Sequence, residues 1–208
     1  GRVLLGEGTY GMVYAGTLIK TGTKVAIKRY KQAFLKHFGH EACNARNLNH
    51  LRVSPHVHFI YSGVDPADSC IVMDSVERML RGCAADSAGK VRTFFIGLLQ
   101  HLDTMHAVGY VHFDIKMENI GVMAGAPVLL DLGDVTHVTS ADMVYGYAAL
   151  VTLWTRPPEI TMRCNNEEVH RSGKIDVWSL ACTIWEWVSG TPPFPARDVT
   201  DLMRRITR

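Results

Sequence analysis

"YVHFDIKMENIGVM", residues 110–123, sets one aspartate, one lysine and one asparagine at a fixed rhythm. Lys116 follows Asp114 by two residues, and Asn119 follows Lys116 by three. Such a D-x-K-x-x-N string is either an ordinary polar turn or a set of groups gathered for chemistry. The stretches on either side of it decide between the two.

Upstream, "KVRTFFIGLLQHLDTMHAVG" places apolar residues at i, i+3 and i+4 and stops at Gly109, which predicts a helix leading into the string. Downstream come a short run, "PVLLDLGD", an irregular segment of some 25 residues, and a second strong helix, "IDVWSLACTIWEWVSG". That helix is closed by Gly190 and the Pro192-Pro193 pair. A loop that long inside a compact domain is usually functional or disordered. Residues 1 to about 75 read mostly as strands, interrupted by one helix over 32–49, with Leu35, Phe38, Ala42, Ala45 and Leu48 near helical spacing. "CIVMDSV" reads as a buried strand running into a connector. The layout is one α+β domain, 1–208: a β-rich lobe over 1–75, a hinge near 74–79 and a helical lobe over 80–208.

Composition bounds the rest. With 208 residues, 47% of them hydrophobic, the chain can bury a substantial core. A formal net charge of +2 gives no argument for a nucleic-acid or anionic-membrane partner, and neither is expected. No stretch approaches the roughly 18 apolar residues of a membrane span, and no signal-peptide pattern opens the sequence. The five cysteines are odd in number, widely spaced and without a CxxC pair, which points to a reducing compartment and an intracellular location, cytoplasm or nucleus. "HEACN" at 40–44 begins like an HExxH zinc helix, but Asn44 stands where the second ligand would be.

Further motifs suit the chemistry of phosphates. "GEGTYGMV" supplies Gly6, Gly8 and Gly11, then Val13; glycines let backbone N–H groups approach phosphate oxygens, although a tight hairpin explains them equally well. Lys28, in "VAIK", follows at strand spacing. Under a phosphate-covering hairpin it would neutralise phosphate charge, and Glu41 on the next helix is available to hold its ammonium. Asp114 could orient an attacking hydroxyl, while Asn119 and Asp131, of "DLG", offer hard oxygen ligands for a divalent cation.

In this order and at these distances, the motifs make the chain resemble a eukaryotic-type protein kinase. "GEGTYGMVY" and "VTLWTRPPE" are especially similar to cyclin-dependent kinases and their relatives. The resemblance implies the bilobal protein kinase fold, truncated at its C-terminal end, and transfer from ATP with Mg²⁺, for which Mn²⁺ could substitute, to serine or threonine of protein substrates. It makes Lys28 the lysine on the α- and β-phosphates, Glu41 its helix partner, Asp114 the catalytic aspartate and Lys116 the contact to the transferred group. Asn119 and Asp131 become the metal ligands, "RPPE" at 156–159 the end of the activation segment, and Asp176 the anchor of the catalytic loop. Met73 becomes the gatekeeper. Asp74 and Val76 offer backbone groups to the adenine edge, and Leu5, Val13 and Ala26 cover the ring; plain core packing accounts for such apolar positions equally well.

The departures carry their own expectations. Phe113 replaces the arginine that receives an activation-loop phosphate, so loop phosphorylation should matter little and the segment should be ordered by Phe113 itself or by Tyr145, Tyr147 and Trp154. Leu132 replaces the phenylalanine of DFG. Ala45 thins an apolar column, and Gly121 empties the adenine floor, which a neighbouring side chain must fill. The short interval from Lys28 to Glu41 lacks a cyclin-binding signature, so no cyclin is expected; control is expected to reach the 32–49 helix through another bound protein. The arginine that pairs with Glu159 in the family is absent, leaving Arg163 or Arg171 to substitute. So short a chain is similar to the miniature kinases of viruses and bacterial effectors, or is a trimmed piece. The competing functions are a nucleotide-binding pseudokinase scaffold and a small-molecule phosphotransferase.

Overall fold

A computed structural model describes residues 3–51, 59–63, 69–138, 143–144, 151–161, 169–170 and 172–206. Strands β1 (Val3–Glu7), β2 (Gly11–Thr17), β3 (Lys24–Tyr30), β4 (Phe59–Gly63) and β5 (Cys70–Asp74) form one antiparallel sheet in the order β1-β2-β3-β5-β4. The β-branched run of β3 makes it the central strand. Its register sets Lys28 opposite Val13 on one side and Ile71 on the other. Gly11 is dictated by this packing: a Cβ there would lie 2.1 Å from the Arg29 carbonyl oxygen.

A 3₁₀ turn, Gln32–Phe34, precedes helix α1 (Leu35–His50), so the helix expected from residue 32 begins three residues later. Phe38, Ala42, Ala45 and Leu48 are buried as their spacing requires; Leu35 is only half-buried. Glu41 and Asn44 are buried on the same face. Those two polar residues break the apolar pattern, and both serve the site.

After the connector 75–77, β6 (Arg78–Met79) pairs with β8 (Ile120–Met123), which pairs with β9 (Ala126–Leu129). Helix α2 (Ala88–Ala107) starts at Ser87, whose hydroxyl caps the Lys90 N–H. It buries Phe94, Leu98, Leu102 and Met105 in the main core with Leu48, Ile115, Leu132 and Leu180. Helix α4 (Lys174–Ser189) ends at left-handed Gly190 and locks on through Trp187, which stacks on Phe94 and donates to the Cys83 carbonyl at 2.7 Å. The strand β7 (Tyr110–Val111) enters the quoted loop and pairs with β10 (Thr136–His137). Beyond it lie β11 (Met143–Val144), paired with β12 (Val169–His170), and the short helices α3 (Pro158–Thr161) and α5 (Val199–Ile206). The architecture is α+β, a sheet lobe above a helical lobe, with the loops after β7 and β9 facing β3 and α1.

Candidate active site

Lys28 lies on β3 beneath the glycine hairpin. Its Nζ reaches Glu41 Oε2 at 2.7 Å and Asp131 Oδ1 at 2.8 Å, joining sheet, helix and the loop after β9. Burial would discharge the lysine, but Glu41 and Asp131 overcome it and hold its pKa above the usual range. Burial, the largest single influence, would raise Asp131; the charge and hydrogen bond of Lys28, with His112 and the Gly133 N–H, together outweigh it and keep that carboxyl below its ordinary value. Glu41 is pushed up, by burial first and by the nearby Asp131 charge, against the pull of Lys28. Asp131 itself adopts a left-handed backbone, φ 58°.

The quoted loop is held from below. Both oxygens of buried Asp176 accept backbone N–H groups, His112 at 2.8 Å and Phe113 at 2.9 Å, and His106 also lies 2.8 Å from it. This fixes Phe113 in a left-handed conformation, φ 66°, immediately before Asp114. The Asp114 carboxylate is oriented by three donors: Lys116 Nζ at 2.5 Å, Thr152 Oγ1 at 2.7 Å and Asn119 Nδ2 at 2.8 Å. A carboxylate so held presents its remaining lone pairs in a fixed direction, as a group that orients a hydroxyl must.

The model of the protein kinase domain matches residues 2–208. The chain belongs to the protein kinase domain family. It is 28% identical to mitogen-activated protein kinase 4 of Arabidopsis thaliana over 98% of this chain and 56% of the relative. It is 30% identical to mitogen-activated protein kinase pmk-1 of Caenorhabditis elegans, over 97% and 55%, and 28% identical to cyclin-dependent kinase F-3 of Oryza sativa subsp. japonica, over 97% and 47%. The chain thus spans about half the length of these relatives.

The donor set of this kinase domain fits a hard divalent cation beside phosphates. Asn119 spends its Nδ2 on the Asp114 carbonyl and carboxylate, which leaves its side-chain Oδ1, like the Asp131 carboxylate, a hard oxygen that could serve such a cation. Above them, a Cβ on Gly6 or Gly8 would meet nothing within 4 Å, so the hairpin's backbone stands clear at both positions. At the end of the sheet, Met73 pairs with Ala26 and Asp74 with Val25, where β5 gives way to the connector. Ala26 is buried, Val13 half-buried and Leu5 exposed at an irregularity in β1. The gap left by Gly121 is filled as expected: a Cβ there would lie 2.6 Å from Val76 Cγ1, so the connector's own side chain makes the floor. A small cavity of about 20 Å³ beside Ala45, lined also by Ile71, Met73 and Leu132, marks the thinned column.

Phe113 is 1% exposed and packs with Val111, Val151, Ile160 and Ile175, with Val138 alongside. An apolar cluster therefore stands where an arginine would await a phosphate. Trp154 is 38% exposed and lines a second cavity beside Lys116 and Thr152; it is not part of the Phe113 cluster. Tyr145, Tyr147, Arg163 and Arg171 lie outside the described residues.

Three contributors escaped the sequence reading. Thr152 sits in "VTLWTRPPE", where the sequence shows only the similarity to cyclin-dependent kinases and the end of the activation segment. Asn44 was read as the residue that spoils a zinc motif; its Nδ2 donates to the carbonyls of Leu132 at 3.0 Å and Val135 at 2.7 Å, tying α1 to the "DLG" segment. Tyr30 donates its hydroxyl to Glu41 Oε2. Strand alternation was the available signal, since it puts Tyr30 on the same face as Lys28.

Proposed function

We propose that this kinase domain phosphorylates serine and threonine hydroxyls of protein substrates, using ATP with Mg²⁺ or Mn²⁺. The observation that carries the reading is the Asp114 carboxylate, fixed by Lys116, Thr152 and Asn119; the Lys28–Asp131 pair supports it. When bound, the metal nucleotide supplies the γ-phosphoryl group and neutralises the charge that develops on transfer. Asp114 orients the acceptor hydroxyl, Lys116 faces the transferred group, and Lys28 holds the inner phosphates. Asn119 and Asp131 would hold the metal, and the Gly6–Gly8 hairpin would cover the phosphates and exclude water. The connector of Asp74 and Val76, with Met73, Leu5, Val13 and Ala26 around it, holds the adenine.

In this reading the activation segment needs no phosphate, because Phe113 seats it in an apolar cluster. A regulatory protein would act through α1, which carries Glu41, and no cyclin is involved. The setting is the reducing interior of a cell.

Label transfer from γ-labelled ATP to a generic protein substrate tests the reading, with Asp114→Asn as the control. Transfer should require Mg²⁺ or Mn²⁺, vanish with chelator and appear on serine and threonine. A nucleotide-binding pseudokinase scaffold is the second reading, favoured by the cavity beside Ala45 and the substituted floor at Gly121. Nucleotide binding without transfer would decide for it, and predominant phosphotyrosine would overturn the residue assignment.

A further inference from the structure

Glu41 is 4% exposed, so its carboxylate needs internal donors. Lys28 is one, but its ammonium is shared with Asp131, and in the proposed reaction it must also face phosphates. Tyr30 is the other. Two residues along β3 from Lys28, it brings its hydroxyl to the same Glu41 oxygen that Lys28 reaches. Its ring meets Phe38 of α1 edge-on at 5.4 Å, and Lys28 Nζ lies 5.2 Å from the ring centroid. Phe38 in turn is buried with Ala42 and Ile71, the apolar seam between α1 and the sheet.

We propose that Tyr30 is a positioning residue: it holds α1 and Glu41 against β3, so that the Lys28–Glu41 pair assembles in the isolated chain and persists when Lys28 turns to phosphate. One side chain thereby touches the strand's lysine, the helix's glutamate and the helix's apolar face. Burial and the Glu41 charge keep the Tyr30 hydroxyl protonated, which is the state that donates. One turn further along the same face of α1, Asn44 fastens the helix to the carbonyls of Leu132 and Val135. The helix is tied from the sheet and from the metal-binding segment by its own chain. The proposal rests on the transfer reading, and its test separates the two.

Tyr30→Phe in the full chain removes the hydroxyl and keeps the ring, so the Phe38 contact survives. Amide hydrogen exchange across residues 35–50 should quicken about tenfold, the lower end of what a hydrogen bond to a charged group is worth. The ratio kcat/KM for ATP should fall by about the same factor. In a Glu41→Met background, which removes the acceptor, Tyr30→Phe should add less than about twofold, since coupled residues are non-additive. A packing role would instead repeat its full effect there. Exchange and kcat/KM within twofold of wild type in Tyr30→Phe, or an undiminished penalty in the Glu41→Met background, overturns the proposal. The exchange measurement needs neither the second variant's folding nor activity. If α1 loosens while the wild-type protein shows no transfer, the positioning role stands and the transfer reading falls.

Discussion

Phe113 and Val151 share one buried apolar cluster, so the catalytic loop and the end of the activation segment meet through side chains that carry no charge. Restoring an arginine at this position therefore restores nothing. Phe113→Arg would place a guanidinium among Val111, Ile160 and Ile175. The variant should melt well below wild type and lose activity without gaining phosphate dependence. Phe113→Ala should cost about 3–5 kcal/mol, as large-to-small changes of buried aromatics do. Thermal melts with and without a loop phosphate check both; a stable, phosphate-activated Phe113→Arg protein would refute the account.

Lys28→Met and Asp131→Asn should each reduce transfer by about a hundredfold or more, the usual cost of a lost transition-state charge contact. Neither residue belongs to the apolar clusters, so secondary structure should persist. Each change does leave the partner charge less well satisfied, and Glu41, fully enclosed, should suffer most when Lys28 goes. Circular dichroism beside initial rates separates the effects. More than about a tenth of wild-type activity in a folded variant contradicts these roles.

Ala45 offers a stability test. The cavity beside it, about 20 Å³, has room for roughly one water molecule. Ala45→Val should raise stability by about 0.5–1 kcal/mol by filling it, whereas Ala45→Phe should lower it by about 1–3 kcal/mol through overpacking. Urea unfolding measures both. A destabilised valine variant would mean the column is already closed.

The residues legible in the sequence were those whose chemistry is local to a motif. Lys28, Asp114, Asn119 and Asp131 each announce themselves by spacing, and the structure pairs Lys28 with Asp131 and Asn119 with Asp114. Helices α2 and α4 were legible because their apolar faces repeat over four turns or more. What stayed hidden depends on partners distant along the chain. That Asn44 would spend both N–H groups on carbonyls near residue 133 follows from how α1 lies over the "DLG" segment, not from anything near residue 44. Val76 shows the middle case. The void at Gly121 was legible as a missing side chain, but which neighbour would fill it depends on the path of the connector, whose Glu77 N–H pairs with the Val122 carbonyl.

Phosphatase treatment should leave most of the activity intact. The activation segment is secured near both ends by groups that need no phosphate. At its start, β10 pairs with β7, the Val138 N–H reaches the Gly109 carbonyl at 2.6 Å, and the His137 ring meets Tyr110 edge-on. At its end, Arg156 donates to the Val151 carbonyl through Nε at 3.2 Å and Nη2 at 2.8 Å, while Thr152 binds Asp114. A loop phosphate ordinarily adds about 1–3 charge-assisted bonds, enough to order a segment that is otherwise loose. If the ties at 136–138 and 151–156 stand in for the phosphate, alanine at Thr136 should change the rate less than about threefold, a small fraction of what such bonds can shift. The same is expected at Thr139 and Ser140, which lie outside the described residues. Rates of phosphatase-treated and untreated protein, with mass spectrometry to confirm the loss of phosphate, make the measurement. A large phosphate-dependent rise would mean that a basic side chain other than the missing arginine receives the phosphate, and that Phe113 seats the segment only in part.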